Sequence, residues 1–111
     1  MLGTILLSSA TVNSQTIEFK GKTFSPARVR DFDSHQRLVD GTSHTVRTYR
    51  IHLGDNIYSV ERKGFGEGCL SSTTPGDRIY VLVDGKKMFV LVNGKESRYN
   101  IVGIWMDEMA Q

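Results

Sequence analysis

Three histidines and one cysteine are the side chains of this sequence best suited to metal binding or nucleophilic catalysis. His35, His44 and His52 are separated by nine and then eight residues, so local spacing brings no two of them together. Metal sites need ligands that converge, and this spacing indicates solvent-facing or hydrogen-bonded histidines instead. Cys69 has no base placed beside it, as a covalent nucleophile would need. We therefore expect no metal site, no cofactor and no enzyme activity.

The segment Lys63-Gly64-Phe65-Gly66 is the stretch closest to a nucleic-acid or nucleotide motif. Cold-shock and RNA-recognition domains follow such a segment with further aromatic residues that stack on bases, whereas Glu67 and Gly68 follow here. A phosphate-binding loop would need a third glycine, where Cys69 stands, and a helix after it. The pattern favours a flexible glycine-rich loop.

The charge of the chain is mildly basic, with a formal net charge of +2 and a pI near 8.8. Many nucleic-acid-binding domains exceed a pI of about 9 and cluster their basic residues, so this charge permits an anionic partner without requiring one. Basic and aromatic residues alternate through the middle of the chain, as a single-strand-binding groove would need. Solvated strand edges that resist aggregation explain the same charges. The basic members are Arg28, Arg30, Arg37, Arg47, Arg50, Arg62 and Lys63, and the aromatic members are Phe24, Phe32, Tyr49, Tyr58 and Phe65.

The length and composition predict one compact domain. The chain has 111 residues, of which 39% are hydrophobic, and this is enough for a single core. Cys69 is the one cysteine, so an intramolecular disulfide is excluded. From Thr16 onward apolar and polar residues alternate with period two, which predicts a mostly β domain over residues 16–111.

The last third of the chain has the clearest pattern and predicts a three-stranded meander. Its strands, 78–83, 86–92 and 95–105, are joined by turns at Asp84-Gly85 and Asn93-Gly94, which are strong hairpin signals. The face expected to form the main core carries Ile79, Val81, Val83, Met88, Val90, Val92, Tyr99, Ile101 and Trp105. The other face carries Tyr80, Leu82, Phe89, Leu91, Val102 and Ile104 with Lys87, Glu96 and Arg98. Two apolar faces predict an all-β fold, a small antiparallel barrel or sandwich, and Gly103 fits a bulge or a barrel corner.

The middle of the chain is harder to interpret. A first hairpin is expected from Thr16 to Phe24, with its turn at Gly21-Lys22 and its end at Pro26, and residues 28–44 are expected to be loop with one further edge strand at most. A second hairpin covers residues 46–62. We favour Asp55-Asn56 as its loop, because a loop at Gly54-Asp55 would set Arg47 opposite Arg62.

The amino-terminal residues 1–15 allow two interpretations. The apolar run from Leu2 to Leu7, followed by small residues, resembles the second half of a signal peptide, although no basic residue precedes it. The alternative is a first strand from Gly3 to Leu7. The first interpretation predicts a periplasmic or secreted protein, and the second leaves a cytoplasmic location open. No apolar run approaches the roughly 20 residues of a membrane span.

Several turn motifs carry a resemblance to a known group of proteins. They are the segments 58–61 (YSVE), 75–77 (PGD), 84–88 (DGKKM) and 93–96 (NGKE), followed by Ile101-Val102. Over residues 46–102 the chain resembles small, exported, functionally uncharacterised bacterial proteins. The resemblance implies a signal peptide, a β-rich body and a carboxyl-terminal meander, and it implies no activity.

One surface stands out as a candidate binding site. Tyr80 and Phe89, flanked by Lys87 and Arg98, form an amphipathic patch that would bind a partner if the sheet face is uncovered. The favoured interpretation is that the amino-terminal strands cover this patch and that it is core. The sequence thus predicts a non-catalytic binding or structural module that is exported. It does not identify the partner: a protein is one candidate, and nucleic acid is disfavoured. The alternative, ranked second, is a cytosolic OB-like module that binds single-stranded nucleic acid.

Overall fold

A computed structural model describes residues 15–62 and 68–106 of the chain. Its strands are β1 (Ile17–Phe19), β2 (Lys22–Val39), β3 (Thr42–Leu53), β4 (Asn56–Glu61), β5 (Arg78–Asp84), β6 (Lys87–Val92) and β7 (Lys95–Met106), with a 3-10 turn at Cys69–Ser72. Six strands form a closed antiparallel barrel in the order β2-β3-β4-β7-β6-β5, and β5 pairs with β2 to close it. β1 is an additional strand beside β2. The all-β fold and the carboxyl-terminal meander are confirmed.

The interior of the barrel holds one apolar core. Tyr49 and Tyr99 meet edge to face at its centre, with ring centroids 6.0 Å apart. The predicted core face of the meander is confirmed for most of its members. The core residues are Ala27, Val29, Tyr49, Ile51, Val60, Leu70, Ile79, Val81, Met88, Val90 and Tyr99, and Val83, Val92 and Ile101 pack against them.

Trp105 is the member of that face that was predicted wrongly. Ser59 pairs with Gly103 and the next residue, Val60, pairs with Ile101, so β7 carries one extra residue, a bulge at Val102. An extra residue exchanges the two faces of the strand beyond it. Trp105 therefore leaves the core face and is 42% exposed. The sequence led us to expect a bulge or a barrel corner at Gly103; the bulge lies one residue earlier, at Val102, and its effect on Trp105 was not foreseen.

Residues 28–44 form regular strand, which corrects the expectation of a loop. β2 and β3 pair without interruption from Asp31 opposite Arg50 to Val39 opposite Thr42, and the turn between them is Asp40-Gly41. Both faces of this ribbon are exposed near its tip, so it lacks the alternation of apolar and polar residues that would have marked it as strand.

Pro26 does not end the first hairpin, which is a second correction. The turn lies at Lys20-Gly21 and β2 continues through the proline. A proline cannot donate a ladder hydrogen bond. Along β2, pairing with β1 stops at Phe24 and pairing with β3 starts at Arg28, so on that side Pro26 lies between two partner strands, while on the other side it is opposite Tyr80 of β5. The missing N–H is therefore tolerated inside the strand.

Like the first hairpin turn, which lies at Lys20-Gly21 instead of Gly21-Lys22, two further predicted loops are displaced by one residue. The β3–β4 loop is Gly54-Asp55, the register that the sequence argument rejected, and the β5–β6 loop is Gly85-Lys86 instead of Asp84-Gly85. In both loops only the first residue, a glycine, has a positive φ, as a type II′ turn requires. The Asn93-Gly94 loop is confirmed.

The like-charge contact that argued against the Gly54-Asp55 register does not arise. β3 and β4 pair only as far as Thr48 opposite Glu61, so Arg47 and Arg62 are not a cross-strand pair. The guanidinium of Arg47 lies over the ring of Phe32 instead, 5.2 Å from its centroid.

Some predictions fall on residues outside the described ranges. They are the choice between signal remnant and strand at Gly3–Leu7, and the loop at Lys63-Gly64-Phe65-Gly66. Export and the resemblance to exported bacterial proteins stay predictions. In the described part of the chain, no helix has the length and apolar character needed to cross a membrane.

The 3-10 turn is attached to the barrel by a buried hydrogen bond. The backbone N–H of Leu70 donates to the hydroxyl oxygen of Tyr99 at 2.9 Å. Gly68 makes this approach feasible, because its φ is +73° and a Cβ there would lie 2.8 Å from Arg62 Nη1 and closer still to the Tyr99 hydroxyl. The turn covers the core with Leu70, which is fully buried.

Replacing Tyr99 with phenylalanine should lower the free energy of unfolding by about 1–3 kcal/mol at neutral pH, because the buried N–H of Leu70 loses its acceptor. Burial also raises the pKa of Tyr99 above its ordinary value of about 10. The unfolded chain therefore releases this proton at a lower pH than the native protein does, so wild-type stability falls as the pH rises above about 10. This part of the fall should be absent in Y99F.

Urea unfolding from pH 7 to about pH 10.5 measures both effects, with Tyr80→Phe as the matched control because Tyr80 is only half-buried. Equal stability of Y99F and wild type at pH 7 would contradict the role assigned to the hydroxyl.

Candidate functional site

A groove of about 1650 Å³ follows β6 along its whole length. Lys86, in the turn before β6, lines one end and Asn93, in the turn after it, lines the other. A strand of six residues spans roughly 20 Å. Parts of β1, of β7 and of the 3-10 turn complete the walls. The cationic side chains that line the groove are Lys20, Arg62, Lys86, Lys87, Lys95 and Arg98.

The meander explains why so many of these cations lie together. Lys86 and Lys87 follow the glycine of one turn, and Lys95 follows the glycine of the next. Arg98 lies directly opposite Phe89 on the neighbouring strand. In the described parts of the chain Lys86, Lys95 and Arg98 form no salt bridge, so their charges are available to a ligand.

Two phenylalanine rings lie among these charges. Phe89 in β6 and Phe19 in β1 are both half-buried and both line the groove. The ammonium of Lys22 lies 5.0 Å from the centroid of Phe89, and that of Lys20 lies 5.3 Å from the centroid of Phe19. Each ring thus has a cation held next to it.

Glu96 is the one carboxylate among the described residues that line the groove. Its Oε2 accepts an ion pair from Lys22 Nζ at 2.9 Å, and its side chain is only 16% exposed. Lys22 therefore neutralises the acidic group of the groove while it also covers Phe89. The pair joins β2 to β7, and so it holds the first hairpin beside the outer face of the meander.

Cys69 also lines the groove, but its surroundings do not suit a nucleophile. Its thiol donates to the carbonyl oxygen of Val90 at 3.3 Å, and its backbone N–H donates to Ser97 Oγ at 2.9 Å. Burial raises the pKa of the Cys69 thiol. Because the thiolate is the reactive form, a raised pKa keeps this side chain unreactive near neutral pH.

Three of the four residues of the predicted patch lie in the groove. Lys87, Phe89 and Arg98 line it together, whereas Tyr80, which pairs with Leu91 and with Pro26, is not among the lining residues. Tyr80 and Phe89 are half-buried, and Lys87 and Arg98 are exposed. The patch is therefore neither fully buried core nor a fully uncovered sheet face, which were the two interpretations that the sequence allowed.

Apart from Arg62, which lines the groove, the described basic residues of the middle of the chain lie outside it. Arg50 pairs with both Asp31 and Asp33, its Nη2 lying 2.9 Å from Asp33 Oδ2. Arg37 pairs with Glu61 at 3.0 Å. These ion pairs support the interpretation of that segment as solvated strand surface. Among the described residues, no group of three histidine, cysteine or acidic side chains could hold a metal ion.

Several residues of the groove had no signal in the sequence. Phe19, Lys20 and Lys22 are more than 60 residues from β6, and only barrel closure brings them to it. Lysines beside the two meander turns were visible, but a turn lysine is usually a solubilising residue. The chain matches no protein-family model, no curated protein and no solved structure in the comparisons made with it.

A double-mutant cycle should detect the contact between Lys22 and Glu96. Lys22→Met and Glu96→Gln should each destabilise the barrel, with a coupling energy of up to about 1 kcal/mol that decreases as salt is added. Urea unfolding of wild type, both single variants and the double variant gives this energy. Lys86→Met, which removes an unpaired groove lysine, should show no coupling to Glu96→Gln, and a coupling of the same size there would refute the specific pair.

Proposed function

We propose that this barrel is a non-catalytic binding module whose groove along β6 holds a chain-like polyanion. The observation that carries the proposal is the charge of the groove. Among the described residues that line it, six cationic side chains face one carboxylate, and that carboxylate is already paired with Lys22. Among the described residues, Lys86, Lys95 and Arg98 form no salt bridge that a bound anion would have to break.

The distribution of charge over the whole chain supports the same proposal. The formal net charge is only +2, although the groove lining alone carries a much larger positive excess. The remainder of the chain is therefore net negative. Outside the groove, the described residues carry eight acidic and seven basic side chains, so the positive excess is concentrated at the groove, where it attracts anions.

The size of the groove favours an extended ligand over a small one. Pockets for small molecules enclose about 300–1,000 Å³ and bury most of the ligand, whereas this groove is larger and runs the length of a strand. Its cations lie at both ends and along the middle, so a single compact anion would reach few of them.

Two groove residues that could act as an acid, a base or a nucleophile, Glu96 and Cys69, are both in surroundings that disfavour catalysis. Glu96 is ion-paired, and the Cys69 thiol is hydrogen-bonded with a raised pKa. Neither group is prepared to transfer a proton or attack a substrate. The charge also favours an acidic ligand, whereas the amphipathic patch alone suggested a protein partner of unspecified charge.

The proposal predicts salt-dependent binding of inorganic polyphosphate. Affinity should fall steeply between low and physiological salt, because each neutralised charge releases counterions. Lys87→Glu combined with Arg98→Glu should weaken binding roughly tenfold or more, since both side chains line the groove. Titration calorimetry at several salt concentrations measures this.

The matched control is Arg30→Glu combined with Arg78→Glu. It changes the net charge equally, and both residues are exposed and lie outside the groove. An equal loss of affinity in both double variants would indicate unspecific attraction, and the absence of binding by wild type at low salt would refute the proposal.

A further inference from the structure

Building on the proposed function, we infer that the polyanion is single-stranded nucleic acid, with bases stacking on Phe89 and Phe19 and phosphates meeting the cations around them. Single-stranded nucleic acid is the ligand of the function that the sequence ranked second. Phe89 and Phe19 were not among the aromatic residues that suggested it there, although Arg62 was among the basic ones.

The alternation of rings and charges in the groove separates nucleic acid from other polyanions. Phe89 and Phe19 each have a lysine ammonium about 5 Å from the ring centroid, so a base that stacks on either ring would take the place of that ammonium. Polyphosphate, sulfated polysaccharides and acidic peptides offer negative charge without a flat ring in every unit. A nucleotide offers both, and protein grooves that bind single strands combine stacking aromatic residues with cations in this way.

The same rings favour a single strand over a duplex. Bases inside a duplex are stacked on each other and present only their edges, so an aromatic side chain has no base face to stack on. In a single strand the bases are free to turn toward the protein. A ligand that presents only its phosphates could not stack on the two half-buried rings.

The dimensions of the groove set the expected length of the bound strand. It follows β6 for roughly 20 Å, which suits a site near the lower limit of the about 4–16 nucleotides that OB-folds cover. The barrel has six strands where an OB-fold has five. The inference therefore depends on the groove and not on a likeness of fold.

The deciding experiment compares ligands that share charge but differ in rings. Fluorescence anisotropy at low salt would follow labelled oligothymidylate and oligouridylate of about twelve nucleotides, with unlabelled polyphosphate, heparin and a DNA duplex as competitors. Wild type should bind both oligonucleotides more tightly than any competitor of equal charge. The DNA and RNA arms show which of the two is preferred.

Phe89→Leu should weaken oligonucleotide binding by about fivefold or more, the range expected for loss of a stacked base, and should leave polyphosphate affinity within about twofold. Phe32→Leu is the matched control, because Phe32 is also half-buried but lies outside the groove. Thermal unfolding of both variants verifies that they are folded.

Three results would overturn the inference while leaving the proposed function intact. They are equal affinity for polyphosphate and oligonucleotide at equal charge, tighter binding of the duplex or of heparin, and an equal effect of Phe89→Leu on oligonucleotide and polyphosphate. Failure of wild type to bind any of these probes at low salt would instead refute the proposed function itself.

Discussion

Closure of the barrel between β2 and β5 is the constraint on which the rest of the molecule depends. The contact is short, running from Ser25 opposite Val81 to Arg28 opposite Arg78. Beyond it, the N–H of Val29 donates to Asp77 O at 3.0 Å, and the N–H of Gly76 donates to Val29 O at 2.7 Å. Without this seam the strands would form an open sheet with two unpaired edges, which proteins usually avoid.

The groove is a consequence of that closure. β5, β6 and β7 are linked by tight turns and would form a meander in any arrangement, but the cations of the first hairpin lie far away in the chain. Pairing of β2 with β5 brings Lys22 within 2.9 Å of Glu96 and over the ring of Phe89. One wall of the groove, the meander, is therefore encoded locally. The wall formed by the first hairpin depends on closure of the barrel.

The same distinction between local and distant contacts explains what could be predicted from the sequence. The core face of the meander was predictable because period-two alternation and the Asn93-Gly94 turn are local signals. The exposure of Trp105 was not, since it depends on a bulge whose position is set by packing of β7 against β4. Lys87, Phe89 and Arg98 could be singled out because they share one sheet face. Their partner Lys22 could not, because no local pattern relates it to Glu96.

The long β2–β3 ribbon should be locally less stable than the barrel. From Ser34 to Val39, β3 is the only described strand that pairs with β2, and the ribbon helps to extend the molecule to 67 Å along its longest axis. A two-stranded ribbon alone is only marginally stable in water, and its opening need not disturb the barrel hydrogen bonds. Its amide protons should therefore exchange with solvent through local fraying, while those of the barrel wait for global unfolding. Local stability should therefore be high in the barrel and low at the tip of the ribbon.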